Sequence, residues 1–228
     1  MRKLLILLAG AAALGPALKA RVYLSPAWSK APKDGWVLAV LPATCEMEVA
    51  AVGSTGLHRD ESQALEARLS ASVAQALQSK GWHIADDVFH REEIERNSEI
   101  FFLVRYLRER NVTLTERIAL APKAFRSGGS SLGNAVTAVR PYTKASILVF
   151  VHVRGFRITT ANRILNLAAT LYYSGTVGLI FDQELFRGTV FKIGASFVDG
   201  ETGDILCLVR PGRGGPEAFL KELDKLPH

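Results

Sequence analysis

Apolar and polar positions follow two periods along this chain, and the switches between them mark its elements. Trp36-Val37-Leu38-Ala39-Val40-Leu41-Pro42 is a continuous apolar run closed by proline, which predicts a buried strand. A loop carrying Gly53 and Gly56 is expected next. From Arg59 the spacing turns helical: Leu65, Leu69, Val73, Ala76 and Leu77 share one stripe, with Asp60 as candidate N-cap and Gly81 as the stop. Trp82 to Ala85 reads as a short second strand. Glu92 to Arg110 reads as a second helix, in which Ile94, Phe101, Phe102, Val104, Tyr106 and Leu107 are interleaved with Arg and Glu.

Further on, a Gly/Ser loop at 127–133 leads into a helix expected over 134–142, and Ala145 to Val153 is a β-prone run. Residues 188–198 and 204–209 flank Asp199-Gly200-Glu201-Thr202-Gly203, the pattern of an antiparallel hairpin around an Asp/Gly turn. A short helix over 216–226 closes the order. Together these predict an α+β fold: a mixed β-sheet with helices packed on it and a closing antiparallel hairpin.

The first twenty residues change the picture of charge and location. Arg2 and Lys3 precede the apolar run Leu4 to Leu14, and small residues follow as far as Ala20. That is the pattern of a signal peptide cut after Ala17 or Ala20, with an apolar run too short to span a bilayer. An exported, periplasmic protein is expected, with 21–35 as an extended leader and 36–228 as one envelope domain. Losing Arg2, Lys3 and Lys19, and no acid, lowers the net charge from +6 to +3. No run of like charges remains, so a nucleic-acid partner is not expected.

The strand and helix order, together with particular motifs, resembles a group of bacterial envelope proteins. They include the curli-secretion lipoprotein, the amino-terminal domain of the TolB translocation protein and related small periplasmic lipoproteins. The motifs are Val37 to Pro42, the helix around Leu65–Leu77 ending at Gly81, Ala145 to Phe150, and above all Ala195 to Leu206. Two features depart from the pattern. No lipid-anchoring cysteine lies near the cleavage region, and Cys207 stands where an aromatic residue often ends the hairpin. The resemblance implies an assembly or secretion accessory that binds other envelope proteins, and it carries over no catalytic residue.

Candidate chemistry is sparse. Ser127, Gly128, Gly129, Ser130, Ser131 and Gly133 form a loop ahead of a helix, a place where backbone N–H groups can hold an anion or small ligand. The loop lacks the lysine of a nucleotide-binding loop. Cys45 and Cys207 either pair in an oxidising compartment or are two buried free thiols. His83, Asp86, Asp87 and His90 cluster in sequence, but on a strand and turn they read as a solvated loop, so neither a metal nor a cofactor is expected. Ile164 to Phe181 carries no charge, and its small residues Ala168, Ala169, Gly175 and Gly178 suit close approach of another backbone. It is expected to bury against the sheet or to form a self-association or peripheral membrane-contact surface. The leading expectation is a non-catalytic periplasmic accessory. The alternatives are a secreted hydrolase using Cys45 or a serine of 127–131, and a membrane-associated secretion subunit contacting lipid through 164–181.

Overall fold

The computed structural model describes residues 21–30, 35–51, 54–57, 59–85, 94, 96–159, 189–213 and 215–226. The signal-peptide expectation and the uncharged segment with Ala168, Ala169, Gly175 and Gly178 lie outside these residues.

The elements are β1 (Arg21–Leu24), α1 (Pro26–Lys30), β2 (Val37–Val40), β3 (Thr44–Ala51), β4 (Ser54–Leu57), α2 (Arg59–Ser79) and β5 (His83–Ile84). They continue with α3 (Ser98–Leu120), α4 (Pro122–Gly128), a 3-10 helix (Asn134–Tyr142), β6 (Ile147–Ile158), β7 (Thr189–Asp199), β8 (Ile205–Arg213) and α5 (Pro216–Leu223). The strands make one open mixed sheet in the order β1-β8-β7-β6-β2-β5, with β3 beside the far half of β6 and β4 outside β3. One face packs under α1, α2 and α5, through Trp28, Leu69, Val73, Leu77, Phe219 and Leu223. The other packs under α3, α4 and the 3-10 helix, through Val104, Leu107, Phe125, Val136 and Val139. The fold is therefore α+β, a mixed sheet with helices packed on it and closed by the β7–β8 hairpin, as the periodicity predicts, and the helices cover both faces. Among the described residues no helix is long and apolar enough to cross a membrane.

The chain passes β6 twice in parallel, and a slip between the two passes decides which way β3 faces. Val40 pairs with Val149 in β6, while Thr44 pairs with His152. Three residues, Leu41 to Ala43, therefore stand against two, Phe150 and Val151. Pro42, which has no N–H to give a ladder, sits inside this bulge. Since side chains alternate with period two, one extra residue exchanges the faces. Ala39 and Leu41 point toward α3, whereas Ala43, Cys45 and Met47 point toward α2.

Two expectations are corrected near the N-terminus. Residues 21–30 are not a leader: β1 pairs antiparallel with β8, and Trp28 of α1 is 2% exposed. Trp28 meets Trp36 edge-on at 5.3 Å, and Trp36 stacks on Trp82 at 5.9 Å, so three distant tryptophans form one cluster. The loop expected around Gly53 and Gly56 contains strands β3 and β4, which pair antiparallel. Ahead of its pairing with β4, the outer edge of β3 is covered by α2, whose Ser70, Glu66 and Ser62 accept the backbone N–H groups of Ala43, Cys45 and Met47.

Helix α2 ends as expected at Gly81, with φ +87°. Gly81 N–H donates to Gln78 O at 2.9 Å and Trp82 N–H to Leu77 O at 3.2 Å, the paired bonds of a Schellman end. The helix begins at Arg59, so Asp60 lies in its first turn and is not the cap. The second helix starts later and runs ten residues further than its apolar pattern suggests. Asn97 caps it through Oδ1, which accepts from Glu99 N–H and Ile100 N–H, and it continues to Leu120. Its buried stripe includes two polar residues, Asn111 and Thr115, which mask the period in the sequence.

Candidate functional site

The Gly/Ser loop is pinned to the closing hairpin. In the hairpin turn Asp199 Oδ1 accepts the N–H groups of Glu201 and Thr202, at 2.8 and 2.9 Å. Leu132 N–H donates to Gly203 O at 2.8 Å, and Ile205 N–H donates to Ser130 O at 2.7 Å. Gly133 and Gly203 face each other backbone to backbone, both at φ +75°. The loop is thus a short lateral extension of the sheet.

Between this loop and the β1–α1 turn lies a cleft of about 270 Å³. Ser127, Gly128, Gly129 and Ser130 line one side, Ser25, Pro26 and Ala27 the other, and Asp204 and Ile205 the floor. Ser25 is 4% exposed, and its hydroxyl has no hydrogen-bond partner among the described residues. Four of the six residues expected at a ligand loop therefore line a real cavity. Ser131 and Gly133 do not: Ser131 Oγ accepts Gly133 N–H at 2.9 Å and donates to Thr202 O.

The electrostatics run against an anion. Gly129 N–H donates to Phe125 O at 2.8 Å, and the N–H groups of Leu132 and Gly133 are also engaged within the protein. What the cleft offers instead is hydroxyl oxygens, the Asp204 carboxylate and the end of α4, where the last carbonyls lack intrahelical partners. The loop follows α4 at its C-terminal end, and the element after it is a 3-10 helix with no side-chain cap.

A second polar region, which sequence reasoning missed, lies between α3 and the sheet. Ser196 Oγ donates to Asn111 Oδ1 at 2.7 Å, both fully buried. Arg108 donates to the Pro42 carbonyl at the bulge. His152 Nδ1 is buried beside them without a partner among the described residues. Burial, and then the charge of Arg154, push the His152 imidazole down to about 4. Pro42, Thr44, Arg108, Asn111 and His152 surround a gap with no room for a water molecule, so this is a structural seam and not a ligand cavity. Helical spacing of Asn111 and Thr115 with Ile100, Val104, Leu107 and Ile118 was the available signal.

The cysteines do not pair. Both are buried free thiols, Cys45 on β3 and Cys207 on β8, with β6 and β7 between them. Three inter-strand steps alone separate them by at least roughly 14 Å, about twice the reach of a disulfide, and the register offsets them further along the strands. Burial, then the negative charge of Glu66, push the Cys45 thiol up to about 11, and burial alone pushes Cys207 up. Cys45 also lies on the opposite sheet face from His152, since it pairs with Val153 and Thr44 pairs with His152. His83 is exposed on β5, and Asp86, Asp87 and His90 lie outside the described residues. Among the described residues no group of three or more His, Cys, Asp or Glu side chains could hold a metal ion.

Fold and cleft together define an α+β chain with helices on both faces of an open mixed sheet and an acceptor-rich cavity at one end. Comparison with protein-family models, curated proteins and solved structures gives no match.

Proposed function

We propose that the chain is a non-catalytic accessory protein of the bacterial-type cell envelope, exported to the periplasm and acting by binding other envelope components. The observation that carries this reading is on α3. Phe101, Phe102 and Tyr106 are 38%, 65% and 47% exposed at the start of a helix whose opposite stripe is buried. Clustered aromatic side chains on a rigid element are typical anchors of protein contacts. The N-terminal pattern supports export, and the resemblance to the curli-secretion and TolB amino-terminal group supports an accessory role. Two observations weigh against the hydrolase alternative. Cys45 is held as a protonated thiol on the face away from His152, and among the described residues no histidine lines the serine-lined cleft.

The test begins with fractionation of cells expressing the full chain. A species cut after Ala17 or Ala20 is expected in the soluble periplasm by intact mass. Native separation of that fraction should show the protein in a discrete complex. Phe102→Asp with Tyr106→Asp should release it at unchanged thermal stability. An uncleaved protein in the cytoplasm, or a folded variant that stays in the complex, would sink the reading.

A further inference from the structure

The cleft at the Gly/Ser loop offers more acceptors than donors: the Asp204 carboxylate, the serine hydroxyl oxygens and the last carbonyls of α4. Ser25 Oγ is buried and unpartnered, and no described side chain bonds the Asp204 carboxylate. Ser127 Oγ donates to Lys123 O and Ala124 O, which leaves its lone pairs to accept. Arg126 of α4 is not among the lining residues and has its guanidinium over the Tyr23 ring at 5.2 Å. Pro26, Ala27 and Ile205 supply an apolar wall beside these groups. A neutral apolar ligand would strip water from Ser25 and Asp204 without replacing it, and an anion would meet the carboxylate. The group that satisfies such a lining is a donor-only cation carried on a short apolar stem.

We propose that this cleft is a binding site for a guanidinium or ammonium head on an aliphatic stem. Asp204 takes the charge, Ser25, Ser127 and Ser130 take the remaining donors, and the stem lies along Pro26, Ala27 and Ile205. A cavity of about 270 Å³ holds roughly nine waters' worth of liquid, enough for one such head and stem but not for a nucleotide. The chemistry is shared by a free organic cation and by the side chain of a lysine or arginine on a partner protein. The inference does not rest on the envelope-binding reading. An empty cleft leaves the aromatic face of α3 as it was, and an intact complex in the Phe102 and Tyr106 variant leaves the cleft as it was.

The experiment is a nuclear magnetic resonance titration of the isotope-labelled full chain with n-butylguanidinium. Saturable shifts are expected at the amides of Gly128, Gly129, Ser130 and Ile205. Asp204→Asn, isosteric and uncharged, should weaken binding about tenfold, and Ser25→Ala several-fold, at unchanged thermal stability. The uncharged analogue n-butylurea should bind at least about tenfold more weakly. Free arginine and N-acetylarginine amide then separate the sources. Equal binding of the two points to a free cation, and selective binding of the blocked form points to a partner's side chain. Absence of saturable shifts, equal binding of n-butylurea, or undiminished binding by folded Asp204→Asn would each overturn the proposal.

Discussion

Ser70 Oγ accepts the backbone N–H of Ala43 at 2.8 Å, across 27 residues of sequence. It is the first rung of a ladder in which Ser70, Glu66 and Ser62, four residues apart on α2, cover the N–H groups of Ala43, Cys45 and Met47. A helix face here does what a neighbouring strand would do, and it hides an edge that would otherwise invite another chain. Ser70→Ala should leave a buried N–H unpaired and destabilise the protein by about 1–2 kcal/mol. Urea unfolding measures this. A variant as stable as the parent would show that the rung contributes nothing.

A side chain at Gly203 has nowhere to go. Its Cβ would lie 2.5 Å from the carbonyl oxygen of Gly133 and 2.9 Å from its nitrogen, at a φ that L residues rarely adopt. Gly203→Ala should therefore cost about 2 kcal/mol or more and loosen the loop that lines the cleft. Amide exchange at Leu132 and Ile205 should speed up in the variant. Unchanged protection there would separate the loop from the hairpin.

The tryptophan cluster makes residues 21–30 part of the core. Trp28→Ala should destabilise the chain by about 3–5 kcal/mol, as expected for loss of a large buried aromatic. Denaturant unfolding followed by circular dichroism checks this. A change below about 1 kcal/mol would fit a dispensable leader.

His152 links stability to pH. Its folded value, about 4, lies below the ordinary 6.5, so the unfolded chain binds the proton more readily between those values. The contribution is neutral above about pH 6.5, and stability falls as pH drops from there toward 4. Arg154 on the same strand and Arg108 on α3 both oppose a further positive charge beside the ring, while Glu46 and Glu116 engage Arg154. Unfolding free energy should fall by about 1–2 kcal/mol between pH 6.5 and pH 5. His152→Gln should flatten that slope. An equal slope in both proteins would place the acid sensitivity elsewhere.

Some elements were legible because their information is local. The Asp199 turn, the strands that flank it, the Leu69–Val73–Leu77 stripe and the positive-φ stop at Gly81 each depend on residues a few positions apart. β3 was legible in principle, since Cys45, Met47 and Val49 alternate with Thr44, Glu46 and Glu48. The glycines that follow obscured it. The far half of α3 was hidden because Asn111 and Thr115 occupy apolar positions, which makes sense only once Ser196 is known to face Asn111. Half of the cleft was visible as the Gly/Ser loop. Ser25 and Asp204 lie far from it in sequence, and nothing local joins them to it.

The amino-acid sequence by itself determined that strands and helices would make an α+β fold with a closing hairpin, because period and turn chemistry act over a few residues. Only the tertiary structure decided which way those elements face. The one-residue bulge at Pro42 is defined by register against β6, a partner about a hundred residues later. That register sends Cys45 toward α2, on the face away from His152, and is invisible until the strands are paired; the strand order in turn keeps the thiols three steps apart.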